Sequence, residues 1–445
     1  MSESSRTPGS SRDIRDVVGI GFGPANLALA IAIEESNEAA APDDQLSAVF
    51  FEAEEKFSWH PGMLLDGATM QIAFPKDLVT FRNPRSAYTF FSYLHDRGRL
   101  VDFVNHQTFF PTRHEFNDYL GWAASRVSAD VRYGAAVTSV KPVPDEDGKT
   151  RLFEVVGADG TTVLTRNVVM GAGLRERIPE WATRSTRCFH NHNFLNHIGA
   201  LPPVKHQRFA VLGAGQSAAE IVQYLHRNYP DAEVHNVFSR YGYSPADDSP
   251  YANRIFDPEA VDDLHSAPAE VRARLLDVHR STNYSCVDID LINELYSAEY
   301  SERVSGARRL FMRRASEIIE INDQADGIEV SIRSDLDGLT DTLTYDALVL
   351  ATGFEPAPLE PLLGDIARNA QGVARDYQLV LSDDIEAGIY LQGGTERTHG
   401  LTSSLLSNVA VRAGEILAAV RDRCSSESLL ATVNQTDPYV TSEAR

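Results

Sequence analysis

Two stretches built alike constrain this 445-residue chain more than any other feature. The first, D-V-V-G-I-G-F-G-P-A-N from Asp16, is an apolar run ending in Gly21, Phe22, Gly23, Pro24, Ala25 and Asn26, and it passes into a helical pattern over Leu27 to Glu35. A strand, a tight glycine turn and a helix let backbone N–H groups and the positive helix end meet a pyrophosphate, while the glycines permit close approach. After a polar loop the chain returns as the short apolar strand Leu46 to Phe51 and ends on Glu52, where an acid would hold ribose hydroxyls. The third position of the turn is Asn26 rather than glycine.

The second unit begins at Arg208 and runs F-A-V-L-G-A-G-Q-S-A-A-E-I, with Gly213, Gly215 and Ala218 in the G-x-G-x-x-A form and Gln216 and Ser217 opening the helix. Its next strand, Glu233 to Phe238, ends at Ser239 and Arg240 instead of an acid. An arginine there accommodates a 2′-phosphate that an acid would repel, which favours NADPH over NADH. One glycine turn is a weak signal. Two, each framed by strands and about one domain length apart, point to a two-dinucleotide flavoprotein of the reductase or monooxygenase type, α/β in class.

At this length two or three domains are expected. Residues 1–15 read as a disordered tail and 16–200 as the first part of an FAD-binding domain. Residues 205–340 read as an NADPH-binding domain that carries a small helical substrate lobe at about 243–308. Residues 341–423 read as the return to the FAD domain with a flavin-facing helix, and 424–445 as a polar tail. The formal charge of −22 argues against general affinity for nucleic acid or anionic membrane. Cys188, Cys286 and Cys424 are scattered, with neither disulfide nor thiolate-metal spacing, so no metal is expected and a reducing cytoplasm suits them. The first twelve residues lack the apolar core of a signal peptide, and no apolar run reaches the length of a membrane span.

Between the two units, Phe57 to Pro84 mixes aromatics, Met63, Met70, Gln71 and a lone Lys76 with little periodicity, which fits a long connection lying against a ligand. Core packing accounts for Phe57 and Phe74 and leaves Trp59, His60, Gln71 and Lys76 open. Arg113, just before an amphipathic helix over Glu115 to Val127, either pairs with a surface acid or holds a phosphate. Alternating runs from Asp130 to Leu164 suggest an antiparallel excursion. In the helical lobe, Pro258 to Leu276 and Asp288 to Leu295 are helical by spacing, and Asn253 and Asn283 read first as caps. Asp341 to Leu350 leads into Ala351, Thr352, Gly353 and Phe354 as a return to the first domain or the hinge into it. A late helix spans Val409 to Arg421.

From about Asp16 to Arg421 the chain resembles the flavin-dependent N-hydroxylating monooxygenases, which convert the side-chain amine of ornithine or lysine to a hydroxylamine for siderophore assembly. The carriers are G-F-G-P-A-N, W-H-P-G-M-L-L-D-G-A-T-M-Q-I-A-F-P-K-D-L, R-N-P-R-S, P-T-R-H-E-F-N-D-Y-L, G-A-G-Q-S-A-A-E, P-A-D-D-S-P-Y-A-N, T-N-Y-S, A-T-G-F and H-G-L-T-S-S-L-L-S-N. The resemblance implies that Lys76 pairs with the substrate α-carboxylate and that Asn253 holds its α-amino or carboxylate group. Asn283 lies near the flavin and the reacting amine, and Leu405 and Ser407 meet the distal amine. Arg113, Ser217 and Arg240 contact NADPH, and Trp59, His60, Met70 and Gln71 line the isoalloxazine, with Asn283 and Gln71 as the catalytic pair. Pro75 and Phe81 stand where the family usually has leucine, next to the lysine. The family also implies a homo-oligomer, with O2 and a small amine or amino acid as the other partners.

The activity so implied is NADPH- and FAD-dependent N5-hydroxylation of L-ornithine through a C4a-hydroperoxyflavin, since F-x-K-D-L followed by R-N-P resembles the ornithine branch. Lysine, aspartate or a diamine is the alternative substrate. Two rival classes differ in kind. One is another NADPH flavoenzyme: a Baeyer–Villiger or heteroatom monooxygenase, the former wanting its own fingerprint between the two domains, which is not found, or a disulfide reductase, which would need a C-x-x-C or C-x-x-x-x-C pair beside a glycine turn, also absent. The other is a dinucleotide sensor, which would have no use for the substrate-side set.

Overall fold

The computed structural model describes residues 14–202, 205–247, 249–279 and 286–435, with side chains to 425. Strand β1 (Ile14–Ile20) pairs in parallel with β2 (Ala48–Phe51), which sets Val18 opposite Val49 and Ile20 opposite Phe51. Helix α1 (Pro24–Glu38) crosses between them, with Pro24 in the first turn, where a missing N–H breaks no helical hydrogen bond. Every residue from Asn26 to Ile33 is buried, so the helix is apolar all round and sandwiched rather than amphipathic. Helix α2 (Arg113–Arg126), capped by the Thr112 hydroxyl, lies on the same side. Beyond it come β3 (Asp130–Arg132), β4 (Val137–Pro144), β5 (Thr150–Gly157) and β6 (Thr162–Met170); β4, β5 and β6 form the expected antiparallel excursion, whereas β3, expected in it, pairs in parallel with β2. The long β6 runs parallel to β1, joining Met170 to Ile20.

A second sheet is all parallel. It contains β7 (Cys188–His190), β8 (Arg208–Leu212), β9 (Glu233–Val237), β10 (Leu310–Arg313) and β11 (Ala347–Leu350), in the order β10-β9-β8-β11-β7. Helix α3 (Gln216–Asn228) connects β8 to β9, and α4 (Ile289–Ser305) connects β9 to β10, burying Leu291 and Leu295 against the α3 face. The first sheet is completed by β12 (Gly388–Leu391), parallel to the end of β6, and by α5 (Val409–Gln435), which packs along α1.

Five expected boundaries change. β7 and β11 belong to the second sheet, so that sheet reaches back before 200 and forward past 341, and the return to the first sheet is made by β12. A run such as A-L-V-L suits any buried parallel strand, and only its pairing with β8 assigns it. The expected helix from Pro258 to Leu276 breaks at Ala267-Pro268 into Ala260–Ser266 and Ala269–Val278, as the residue before a proline disfavours helix. α4 extends to Ser305 as a crossover helix of the second sheet, and α5 continues through the expected polar tail to Gln435. Among the described residues no helix is long and apolar enough to cross a membrane.

Candidate active site

At the first glycine turn Gly21 has φ +81°, and a Cβ there would stand 2.5 Å from the Gly171 carbonyl oxygen. The fully buried Asn26 donates from Nδ2 to the Gly21 carbonyl at 2.7 Å and to the Ile20 carbonyl at 3.3 Å. The asparagine in place of a third glycine therefore braces the turn. Glu52 accepts the Phe22 N–H at 2.6 Å on one oxygen and the Glu54 N–H at 2.9 Å on the other. No side chain caps α1, and a Cβ at Gly23 would meet open space, so the first-turn N–H groups face the room a pyrophosphate needs.

At the second turn Gly213 has φ +143°, and a Cβ there would collide with the Ala351 carbonyl. Asn236, fully buried on β9, donates from Nδ2 to the carbonyls of Gly213 at 2.9 Å and Val211 at 3.0 Å, and Tyr243 donates to its Oδ1. α3 starts at Gly215 without a side-chain cap, leaving the N–H groups about Gln216 and Ser217 for an anion. Arg240 follows β9, as the strand-end reading requires, and its carbonyl accepts the Ala315 N–H at 2.7 Å. Thr352 donates its hydroxyl to the Arg177 carbonyl, and the Gly353 carbonyl is 2.9 Å from His190 Nε2.

The loop from Phe57 to Lys76 runs between these turns. The Trp59 N–H donates to Asn117 Oδ1 at 3.2 Å, and its ring meets Phe116 edge-on at 5.9 Å. His60 adopts a left-handed φ of +47° beside the rings of Trp59, His192 and Phe354. Burial, reinforced by His192 and Arg113, pushes it down to about 4, so it is neutral at physiological pH. Met70 is buried in the α1 core, whereas Gln71 is exposed. Lys76 is half-buried, and among the described residues its ammonium has no hydrogen-bond or ion-pair partner. The buried Asp77 beside it accepts the N–H groups of Val79, Thr80 and Phe90 at 3.0, 2.7 and 2.8 Å, clamping the turn that presents the lysine. Burial raises its pKa against those bonds.

On the opposite wall, the turn Ala252–Phe256 packs against Leu401–Ser404, and the Asn408 amide donates to the Phe256 carbonyl at 3.3 Å. Asn253 lies in that turn, and its own amide donates locally, to the carbonyls of Ser249 at 3.2 Å and Asp247 at 3.4 Å. Ser407 is 4% exposed, and among the described residues its Oγ has no partner, nor has the Ser403 hydroxyl. Buried hydroxyls are rarely left unmatched, so these two are open to a further partner. Buried Arg412 donates to Gln392 Oε1 at 3.0 Å and to the Thr402 carbonyl at 3.2 Å, and Gln392 donates to the Ala25 carbonyl at 3.2 Å. This relay ties the segment to the first glycine turn.

Of the two readings open for Arg113, the structure supports an ion pair, with a buried rather than a surface acid: Nη1 and Nη2 each lie 2.9 Å from Glu220. Asn283, with T-N-Y-S, lies outside the described residues. Asp77, Arg412, Gln392 and Asn236 were not singled out from sequence. The available signal was a polar side chain inside an apolar pattern, as in V-H-N-V of β9.

Two uncapped glycine turns, each following a strand that pairs in parallel with its neighbours, define a two-dinucleotide oxidoreductase. The sequence model of the L-lysine 6-monooxygenase/L-ornithine 5-monooxygenase family matches residues 13–356, and the chain belongs to that family. It is 40% identical over 402 residues to the L-ornithine N(5)-monooxygenase of Burkholderia cepacia, covering 86% of this chain and 89% of that one. With the L-ornithine N(5)-monooxygenase of Pseudomonas aeruginosa it shares 38% identity over 419 residues, covering 91% and 93%. The solved structure of a Kutzneria sp. 744 ornithine N-hydroxylase with reduced FAD, NADP+ and L-ornithine superposes with a TM-score of 0.88 at 45% identity, covering 93% of this chain and all of the other.

Proposed function

We propose that this chain is an L-ornithine N5-monooxygenase that uses FAD, NADPH and O2 to hydroxylate the side-chain amine. The observation that carries the reading is the pairing of two uncapped dinucleotide turns with a wall of unmatched polar groups, on a chain about 40% identical to ornithine monooxygenases over most of its length. Gly21, Gly23, Pro24, Asn26 and Glu52 would hold the FAD dinucleotide, with Trp59, His60, Met70, Gln71, Thr352 and Gly353 about its ring. Gly213, Gly215, Gln216, Ser217 and Arg240 would hold NADPH, with Arg113 at the junction. When bound, the reduced flavin would supply the two electrons that activate O2, of which one oxygen atom reaches the amine and the other leaves as water.

The residues of the chain bind, orient and exclude water. Lys76, whose charge is free among the described residues, would pair with the substrate carboxylate, and Asp77 keeps it in place from behind. Asn253 would hold the other α-substituent through the Oδ1 left over from its local bonds. At the far end Ser407 Oγ and the Leu405 backbone would receive the amine. That amine must be neutral to react, yet a free one titrates near about 10.4. A desolvated seat beside buried Ser407 favours loss of its proton. His60, held neutral, adds no charge to the flavin side. Asn283 and Gln71 are assigned to the reacting centre, Gln71 being available because it is exposed. We also read the enzyme as a cytoplasmic homo-oligomer, which light scattering after gel filtration measures directly.

The test is chemical detection of hydroxylamine with FAD, NADPH and oxygen against ornithine, lysine, aspartate and short diamines, with NADPH oxidation followed in parallel. Product with ornithine alone is the expected result. Product from a different amine would move the specificity to Pro75, next to Lys76. NADPH consumption without hydroxylamine from any amine would overturn the N-hydroxylase reading.

A further inference from the structure

Glu220 lies in α3 within a run of buried apolar residues. Ala218, Ala219, Ile221 and Val222 around it are buried, and Glu220 itself is 4% exposed. A carboxylate in that position is sustained only by its partners. Its Oε1 accepts from Arg113 Nη2 at 2.9 Å and from Gln216 Nε2 at 3.0 Å, and its Oε2 accepts from Arg113 Nη1 at 2.9 Å. Each partner is engaged at a second point. Arg113 Nη1 also donates to the Met63 carbonyl at 3.1 Å, and the Arg113 N–H donates to the Ala68 carbonyl at 2.8 Å. Gln216 Oε1 accepts the N–H of Asp288 at 2.8 Å, and Asp288 caps α4 through its side chain. One carboxylate therefore joins the first domain's loop, the helix turn that opens the second dinucleotide site, and the start of α4.

We propose that Glu220 is a positioning residue that sets how the two dinucleotide turns face one another. This rests on the reading that the turns hold FAD and NADPH. The transfer it governs moves one hydride, with its two electrons, from NADPH to FAD, leaving NADP+ and FADH−. A displacement of about 1 Å between reacting partners costs about 100-fold in rate. Glu220 touches neither reacting atom; it acts through Arg113 and Gln216. A brace that only stabilised the fold would shift unfolding without singling out one half-reaction.

The experiment compares wild type with Glu220→Gln, which keeps the shape and removes the charge, and with Glu220→Asp, which keeps the charge. Arg227→Ala, an exposed change on the same helix, is the control. In the cofactor-free proteins, amide hydrogen exchange over 60–68 and 213–219 is expected to rise about tenfold or more in Glu220→Gln and to stay near wild type in the control. In the FAD-loaded proteins without oxygen, reduction by saturating NADPH is expected to slow by about 100-fold in Glu220→Gln, while reduction by dithionite and the KM for ornithine hold. Glu220→Asp should recover part of the NADPH rate. Unchanged exchange at the junction, wild-type reduction by NADPH, or equal losses with NADPH and dithionite would each overturn the proposal. Should Glu220→Gln fail to fold, Glu220→Asp decides on the same readouts. A wild-type protein whose flavin NADPH does not reduce would sink the cofactor reading instead, and the exchange measurement, made without cofactors, would still judge Glu220.

Discussion

The two glycine turns face the same physical demand and meet it with different parts. In each, a glycine at positive φ lies against a neighbouring strand's carbonyl, and the turn's own carbonyl points into the protein, where it needs a donor. The first turn takes its donor from within the motif, from Asn26 on α1. The second has the small Ala218 at the corresponding helix position and borrows its donor from Asn236 on the next strand. The strand ends differ too: Glu52 closes back onto the Phe22 N–H, while Arg240 leaves a cation at the edge. A dinucleotide turn is thus a geometry with an obligatory donor, and sequence motifs record only one of the ways to supply it.

The largest expected effects come from the glycines. Gly21→Ala should yield a colourless protein, because strain of about 1–3 kcal/mol adds to a backbone clash. Gly213→Ala should stay yellow and raise the KM for NADPH by about tenfold or more, following the same strain. Flavin absorbance of the purified variants is the measurement, and equal flavin loss in both would break the division of labour between the turns. Acid comes next. His60 in the connecting loop and His235 in the strand that braces the second turn are both pushed down to about 4, chiefly by burial. Unfolding releases each to titrate near 6.5, so the unfolded chain binds more protons. Stability is full above pH 6.5 and falls as the pH drops toward 4, by at most about 3 kcal/mol for each histidine. His235→Gln should flatten the urea midpoint across that window, and a midpoint that rises on acidification would contradict the assignment.

Replacing either asparagine brings a comparable or smaller loss. Asn26→Ala and Asn236→Ala each remove the side-chain donor to a turn carbonyl, that of Gly21 or of Gly213, at a cost of about 1–3 kcal/mol by urea unfolding. A neutral result at one site would show that its turn has another brace. The smallest change is expected at the strand end. Arg240→Ala should raise the KM for NADPH by roughly tenfold, the worth of one charge-assisted contact, and leave NADH nearly untouched. Steady-state kinetics with both cofactors sharpens the contrast with Glu52, and an equal effect on NADH would remove the 2′-phosphate from the account.

Local features were legible in the sequence. The glycine turns, β1, β2, β8 and β9 and the crossovers α1 and α3 follow from periodicity and turn chemistry within about 30 residues, the span of a βαβ unit. What was not legible depends on partners far along the chain. Cys188 to His190 and Ala347 to Leu350 carry no mark of which sheet they join, because any parallel strand buried on both faces is uniformly apolar. Arg113 offered two readings, and only the fold brings Glu220 to it across 107 positions. Glu220 itself carried a signal, an acid inside A-A-E-I-V, since a carboxylate in an apolar stripe must have a partner. The wall that joins Asn253 to Ser407 could be grouped from resemblance alone, as nothing local relates a turn at 252 to a segment at 405.

Met63 and Leu65, from the loop after β2, are buried in the second sheet's core with Phe194, Val222 and Leu291. On the ribosome these two side chains emerge before any strand of the sheet that buries them, and β11, which lies between β8 and β7, emerges last. The nascent first domain must therefore carry an apolar loop without its socket through the synthesis of more than half the chain, a window for chaperone engagement. Expressed alone, the second domain would present the complementary defect, an open socket prone to association, so neither half is a free-standing module.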